Sequence, residues 1–320
     1  MAGGFDLLSP QEVCGSPSPK ECVPGFSTGP PPALFHVPVL DLYDDEKPFV
    51  LLYDVEDHDE DRRMTNLVFE PVEKEVKDIR DSDRAFTLNE NGFTIVRQRS
   101  ELEGFTEREV VEDRCLPEME RMLREVVEDF ERVVWFDWRA MRSRRPNPRL
   151  AATATRKTKG FFDLNDYTEP LLPATYCHID QSPSAVLSRV QLQLSDEAEE
   201  LLQRRVRIIN AWRPHGNVVE DYPLALCDAG TASPADFLEA DNVRRHYTGA
   251  TRYGMDGRTH QWYYLSQHSP EEVLLFKTLD SGESVAARFC PHAEIKIPGV
   301  SPGVPSRKRI ELRALVFSAH

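Results

Sequence analysis

From residue 171 onward the chain reads as many short β-prone runs separated by turns. The runs are Ala174–Ile179, Val206–Trp212, Leu224–Cys227, Gln261–Leu265, Val273–Thr278, Ala287–Ile297 and Ile310–Phe317. Runs of this length cannot bury themselves singly. With few helices between them, they predict two antiparallel sheets packed face to face, a mainly β jelly roll (double-stranded β-helix, cupin-like) with flanking helices. One helical pair interrupts the series, Ser184–Leu194 and Asp196–Arg204, with Ser195 as a candidate N-cap of the second.

Upstream, residues 1–34 are rich in Pro, Gly and Ser and read as an irregular arm. Short strands are expected at Phe35–Tyr43 and Phe49–Tyr53, then a strand, turn and strand over Phe86–Gln98 around Asn91-Gly92. Thr106 and Glu109 have capping-box spacing. Met119, Leu123, Val126, Val127 and Phe130 then share one helical face. Val133–Trp138 reads as a buried strand. The organisation expected is an arm (1–34) and one domain (35–320), made of a strand and helix extension (35–170) and a core (171–320).

The 320 residues include 39 Lys and Arg against 54 Asp and Glu, a formal charge of −15. This argues against nucleic acid and an anionic membrane surface as partners. The one basic run, Arg139–Lys159, reads as a solvated loop. The six cysteines show no CxxC pair, and no stretch has the length of a membrane span. A reducing, cytoplasmic setting and a small-molecule substrate are expected, with the oligomeric state open.

Within the strand series, His178-Ile179-Asp180 places an imidazole and a carboxylate two residues apart, on one face of a strand. His292 on a later strand offers a third ligand, with His260 and His268 as alternatives. Two His and one carboxylate form the facial triad of non-haem Fe(II) oxygenases, which leaves open coordination positions. Such an iron commonly uses 2-oxoglutarate, whose distal carboxylate calls for an arginine. Arg307, Arg309, Glu311 and Arg313 alternate along the run after His292 and so share a face. Tyr176, Arg213, Trp262 and Tyr264 are candidate substrate contacts; for Arg213 a structural pair with Glu220 or Asp221 is the simpler expectation.

Several longer stretches carry a resemblance: "CHIDQSPSAVLSRV", "RIINAWRP", "VEDYPLALCD", "HQWYYLS", "SPEEVLLFKTLDS", "PHAEI" and "RIELRALVF". Together they resemble a family of fungal and bacterial oxygenases. It includes gibberellin-desaturase-like proteins, AsaB-type hydroxylase/desaturases and CmcJ-like subunits of cephamycin methoxylation. The resemblance spans Phe86 to Phe317. It implies a dioxygenase of secondary metabolism that uses Fe(II), 2-oxoglutarate and O2 to abstract hydrogen from a small molecule, leading to hydroxylation, desaturation or ring closure. It also implies His178, Asp180 and His292 as iron ligands, and a cosubstrate clamp at Arg307 with Arg313 as competitor. The alternatives are a non-redox cupin-like metal protein and an accessory subunit of a two-component oxygenase. Three departures stand out. Arg309 replaces a serine of the final strand, Ala293-Glu294 replaces a hydroxyl and a small residue after His292, and Trp138 stands where a histidine is usual.

Overall fold

The computed structural model describes residues 6–7, 31–52, 63–100, 102, 107–142, 173–244, 247–301 and 303–318. In chain order the strands are β1 (Asp6–Leu7), β2 (Ala33–His36), β3 (Phe49–Leu51), β4 (Glu70–Glu73), β5 (Val76–Asp78), β6 (Phe93–Arg97), β7 (Phe130–Arg142) and β8 (His178–Ile179). They continue as β9 (Arg205–Pro214), β10 (Leu224–Cys227), β11 (Phe237–Val243), β12 (Thr248–Gly254), β13 (Trp262–Tyr264), β14 (Glu272–Asp280), β15 (His292–Glu294) and β16 (Lys308–Ser318).

Two large sheets account for most of them. One has the order β1-β6-β14-β9-β16-β7, the other β3-β11-β12-β8-β15-β10-β13-β5; β2 and β4 form a separate pair. The expected jelly roll is what the chain adopts. In antiparallel pairs, residues directly opposite share a face. Asn210 and Trp212 of β9 therefore lie beside Phe276 and Leu274 of β14, and beside Arg313 and Glu311 of β16. This row faces the second sheet. The alternate residues Ile209, Ala211, Leu312 and Ala314 face outward and pack under Met119, Met122 and Leu123 of the helix Leu116–Val126. The helix continues without a break from Arg108–Val110 through the π-helical turn Val111–Cys115, and Pro117, which has no N–H to donate, stands just after that widened turn. A second helix, Pro183–Gln193, puts Val186 and Val190 on Ile208, Leu315 and Phe317.

Several local expectations differ from the structure. Phe35–Tyr43 is a strand only to His36, followed by a helical turn at Leu42–Asp45. Of Phe86–Gln98 only Phe93–Arg97 is a strand; the Asn91 side chain accepts from Thr87 N–H and holds the preceding segment in a turn. Phe130 begins β7 rather than ending a helix, because Asp129 adopts a φ of 53° and turns the chain. Arg139, expected in a solvated loop, is a buried β7 residue. Residues 143–159 of the basic run, and Thr106, lie outside the described residues. The second helix of the pair is only Ala198–Leu201, entered from Glu197 rather than Ser195. Ala287–Ile297 shrinks to β15. Within the arm expected to be irregular, β1 pairs with β6. Strands β11 and β12 have no counterpart among the expected strands.

Two buried histidines make stability depend on acid. His268 stacks on Trp212 at 5.0 Å and its Nε2 lies 2.9 Å from the Glu272 carbonyl, to which it donates. His36 is buried beside β12. Burial, the largest cause, holds each near a pKa of about 4. Both folded pKa values lie below the unfolded value, so the unfolded chain binds more protons between the two. Stability is full above pH 6.5 and falls as the pH drops toward 4. Urea denaturation at pH 7 and pH 5 should differ by about 2 kcal/mol for each histidine. His268→Gln should remove that histidine's share of the difference, and an unchanged pH dependence would contradict the assignment.

Candidate metal centre

β8 is only two residues long, yet it lies between β12 and β15 and faces both: His178 is the direct cross-strand partner of His292 and of Tyr253. The two imidazole centroids are 4.3 Å apart. After Ile179 the chain leaves the sheet. The Asp180 carbonyl accepts from Thr251 Oγ1 at 3.0 Å, and Ser182 caps the helix that follows. This exit carries the Asp180 carboxylate back toward the imidazoles. One ligand atom from each of His178, Asp180 and His292 lies within 4.8 Å of the others. Among the described residues no other set of His, Cys, Asp and Glu converges in this way.

Both rings are oriented by the backbone. His178 Nδ1 donates to the Tyr176 carbonyl at 2.9 Å, and His292 Nδ1 donates to the Cys290 carbonyl at 3.1 Å. Each Nε2 lone pair is thereby left for the centre, the tautomer a metal ligand needs. The Asp180 carboxylate divides its oxygens. Oδ1 lies 3.6 Å from His178 Nε2, while Oδ2 accepts from Asn210 Nδ2 at 2.6 Å and Arg313 Nε at 3.2 Å. Phe276 closes the other side, 4.7 Å from the His292 ring.

Charge suits the same role. Burial pushes His292 down to about 4, helped by the adjacent His178, so this ring is neutral. Burial opposes ionisation of Asp180, but Arg313 and the imidazoles outweigh it and hold the carboxyl well below its usual range. The same carboxylate raises His178 against the effect of burial. Two imidazoles and an ionised carboxylate with free ligand atoms are a donor set that fits a divalent iron.

The first sheet supplies a ladder of alternating charge beside this centre. Arg313 Nη1 binds Asp137 at 2.7 Å and its Nη2 binds Glu311 at 2.9 Å. Glu311 also takes Arg309 Nη1 at 2.5 Å. Arg309 Nη2 reaches Glu294 at 2.5 Å, and Arg307 Nη2 reaches the other Glu294 oxygen at 2.8 Å. All three arginines expected on one face are brought together, and each is already paired.

The remaining candidates are divided. Tyr176 lies on the centre, 5.1 Å from the His178 ring, between Phe69 and Tyr253. Trp262 and Tyr264 pair with Cys227 and Ala225, on the sheet face opposite His292; Tyr263, between them, shares the face of Leu226 and His292. Arg213 points away from the centre. It donates to the Pro270 and Gln98 carbonyls and pairs with Glu118 at 3.2 Å, not with Glu220 or Asp221. His260 pairs with Asp236, and His268 is the stacked core histidine, so neither is a ligand here. Trp138 packs in the outer core under the helix. Sequence reasoning missed Asn210 and Asp137, and it marked Glu294 only as a departure beside His292. A lone Asn in the apolar run "RIINAW" was a usable signal, since buried polar side chains need partners.

Aspirochlorine biosynthesis protein N of Aspergillus oryzae is 34% identical over 139 residues, 43% of this chain and 58% of that protein, so the chain spans little more than half of that relative's length. The alpha-ketoglutarate-dependent dioxygenase phiK of a fungal species is 29% identical over 244 residues, 75% of this chain and 82% of that protein. The solved structure of the iron and alpha-ketoglutarate-dependent endoperoxidase NvfI superposes with a TM-score of 0.73 at 24% identity, over 90% of this chain and 98% of that one. It shares the fold. Among the described residues no helix is long and apolar enough to cross a membrane. Residues 38–317 match the family model described as oxidoreductase/YMDC permease-like domain, and the chain belongs to this oxidoreductase family.

Proposed function

We propose that this chain is a non-haem Fe(II)/2-oxoglutarate-dependent dioxygenase that oxidises a small molecule in secondary metabolism. The observation that carries the reading is the convergence of His178, Asp180 and His292, one ligand atom of each within 4.8 Å of the others, with both Nδ1 atoms engaged by backbone carbonyls. Similarity to phiK, named for its dependence on alpha-ketoglutarate, supports it. When bound, Fe(II) with 2-oxoglutarate and O2 supplies an oxidant able to remove hydrogen from an unactivated C–H bond, with succinate and CO2 as co-products. The chain's own part is to hold and enclose. His178, Asp180 and His292 would hold the iron, and three protein ligands are a set that leaves coordination positions for a cosubstrate. Asn210 and Arg313 keep the second Asp180 oxygen engaged, so that the carboxylate offers a single oxygen. Phe276 and Tyr176 line the imidazoles with apolar surface that limits water. Hydroxylation, desaturation and ring closure all begin from the same hydrogen removal. Among the described residues Cys115, Cys177, Cys227 and Cys290 are free and buried, which supports a reducing compartment such as the cytoplasm.

An anaerobic titration tests the reading. Fe(II) plus 2-oxoglutarate should give a weak visible charge-transfer band, lost in His178→Ala. Admission of O2 should then release succinate. No band and no succinate would refute it.

A further inference from the structure

Glu294 is a buried carboxylate that the iron centre does not use. It stands two residues beyond His292 on β15, so both side chains enter the space between the sheets. Strand geometry separates the two positions by about 7 Å. That is comparable to the carbon backbone of 2-oxoglutarate. At that place three donors converge on the Glu294 carboxylate: Arg307 Nη2 at 2.8 Å, Arg309 Nη2 at 2.5 Å and the Ala174 N–H at 3.0 Å. Arg307 also donates to the Tyr222 carbonyl, and both guanidinium groups lie over the Trp212 ring, at 5.7 and 5.4 Å. This is an anion clamp with an aromatic floor, and its anion is covalently part of the protein.

Glu294 and Arg309 are also two of the departures noted in the sequence, standing where a small residue and a serine are usual. In the fold they bind each other. The two departures thus form one ion pair.

Resting on the Fe(II)/2-oxoglutarate reading, we propose that Glu294 occupies the seat of the cosubstrate's distal carboxylate, so that this protein selects its 2-oxo acid by the chelating end alone. A distal carboxylate arriving from solution meets guanidinium groups whose charge is already balanced. It must compete with a carboxylate tethered on β15, in the facing sheet of the same protein, whose effective concentration greatly exceeds that of a free ligand. The buried Arg307 Nε and Arg309 Nε have no acceptor, so a ligand oxygen can still be bonded there. It gains a hydrogen bond but little net attraction between charges. The consequence is a loss of discrimination between 2-oxoglutarate and a 2-oxo acid of the same length that lacks the second carboxylate.

The test is anaerobic titration of the Fe(II)-loaded full chain with 2-oxoglutarate and with 2-oxopentanoate, read by the charge-transfer band and by calorimetry. Wild type should bind the two within about threefold of each other. Glu294→Ala should tighten 2-oxoglutarate by about tenfold or more, the usual worth of a charge-assisted contact, and leave 2-oxopentanoate unchanged. Glu294→Gln, which keeps the volume and one acceptor oxygen, should shift in the same direction by less, and it covers the case in which the alanine variant does not fold. A wild type that prefers 2-oxoglutarate by about thirtyfold or more overturns the proposal, as does unchanged or weaker 2-oxoglutarate binding in both variants, while the band itself keeps the iron reading intact. No band with either acid in any of the proteins overturns the iron reading, and this proposal with it.

Discussion

His292→Ala should lower Fe(II) affinity by at least about 100-fold, because loss of a direct ligand exceeds the 10–100-fold typical of losing a group that only supports one. The cause is geometric. His178 and Asp180 lie two residues apart along the chain, whereas His292 comes from the neighbouring strand and joins the set through a single cross-strand pair. Without its imidazole the centre keeps two ligands on one side and no fixed face. The ring is neutral when buried, so its removal deletes a donor without stranding a charge. The folded protein should therefore survive the change, and equilibrium dialysis against Fe(II) can be run on it. Asn210→Ala is the graded comparison. It frees Asp180 Oδ2 from its 2.6 Å bond and should cost about 10–100-fold. Unaltered iron binding by His292→Ala would remove this residue from the centre.

Arg313→Met should destabilise the metal-free protein by about 3–5 kcal/mol, the usual result of removing one partner from a buried ionic network. Three carboxylates depend on this guanidinium: Asp180 at 3.2 Å, Asp137 at 2.7 Å and Glu311 at 2.9 Å. A side chain without charge leaves them facing one another. The size of the loss should depend on pH. Arg313 holds Asp180 and Glu311 below their usual carboxyl range, although burial pushes both the other way. Its contribution is fully present above the unfolded pKa of about 4 and fades as the pH falls through the lower folded values. The gap between variant and wild type should therefore be largest near neutrality and shrink in acid. Arg313→Lys restores the charge but not the three-way fork, and should recover only part of the loss. Urea denaturation across about pH 3.5–7.5 measures all three proteins, and a loss below about 1 kcal/mol at pH 7 would show that the carboxylates find other partners.

How much of this was legible in the sequence depended on whether the signal was local. The His178–Asp180 pair was readable because the two residues stay on one side of the chain even though the strand ends between them at Ile179. The alternation of Arg307, Arg309, Glu311 and Arg313 was readable for the same reason, since β16 is long and regular from Lys308 onward. Trp262-Tyr263-Tyr264 was not. Three aromatic residues in a row have no alternation, so nothing indicates that the middle one shares the side of His292. β11 and β12 escaped because "FLEADNV" and "TGATRYG" mix polar residues and glycine throughout. Their pairing with each other and with β8 defines them, rather than any apolar pattern. Arg213 needed a partner, and Glu118 was out of reach of any local argument because it belongs to the helix packed outside the first sheet.

The shortness of β8 has a consequence in time. Its two residues gain hydrogen-bonded neighbours only when β12 and β15 have both been threaded into place, and neither neighbour is close to it along the chain. A partly synthesised or half-collapsed polypeptide therefore carries the first imidazole and the carboxylate with nothing opposite them. Such a chain has no trap for a cation. On the proposed iron reading, metal loading is a maturation event that follows the joining of β12, β8 and β15, governed by whichever ions surround the finished protein rather than by those met during synthesis.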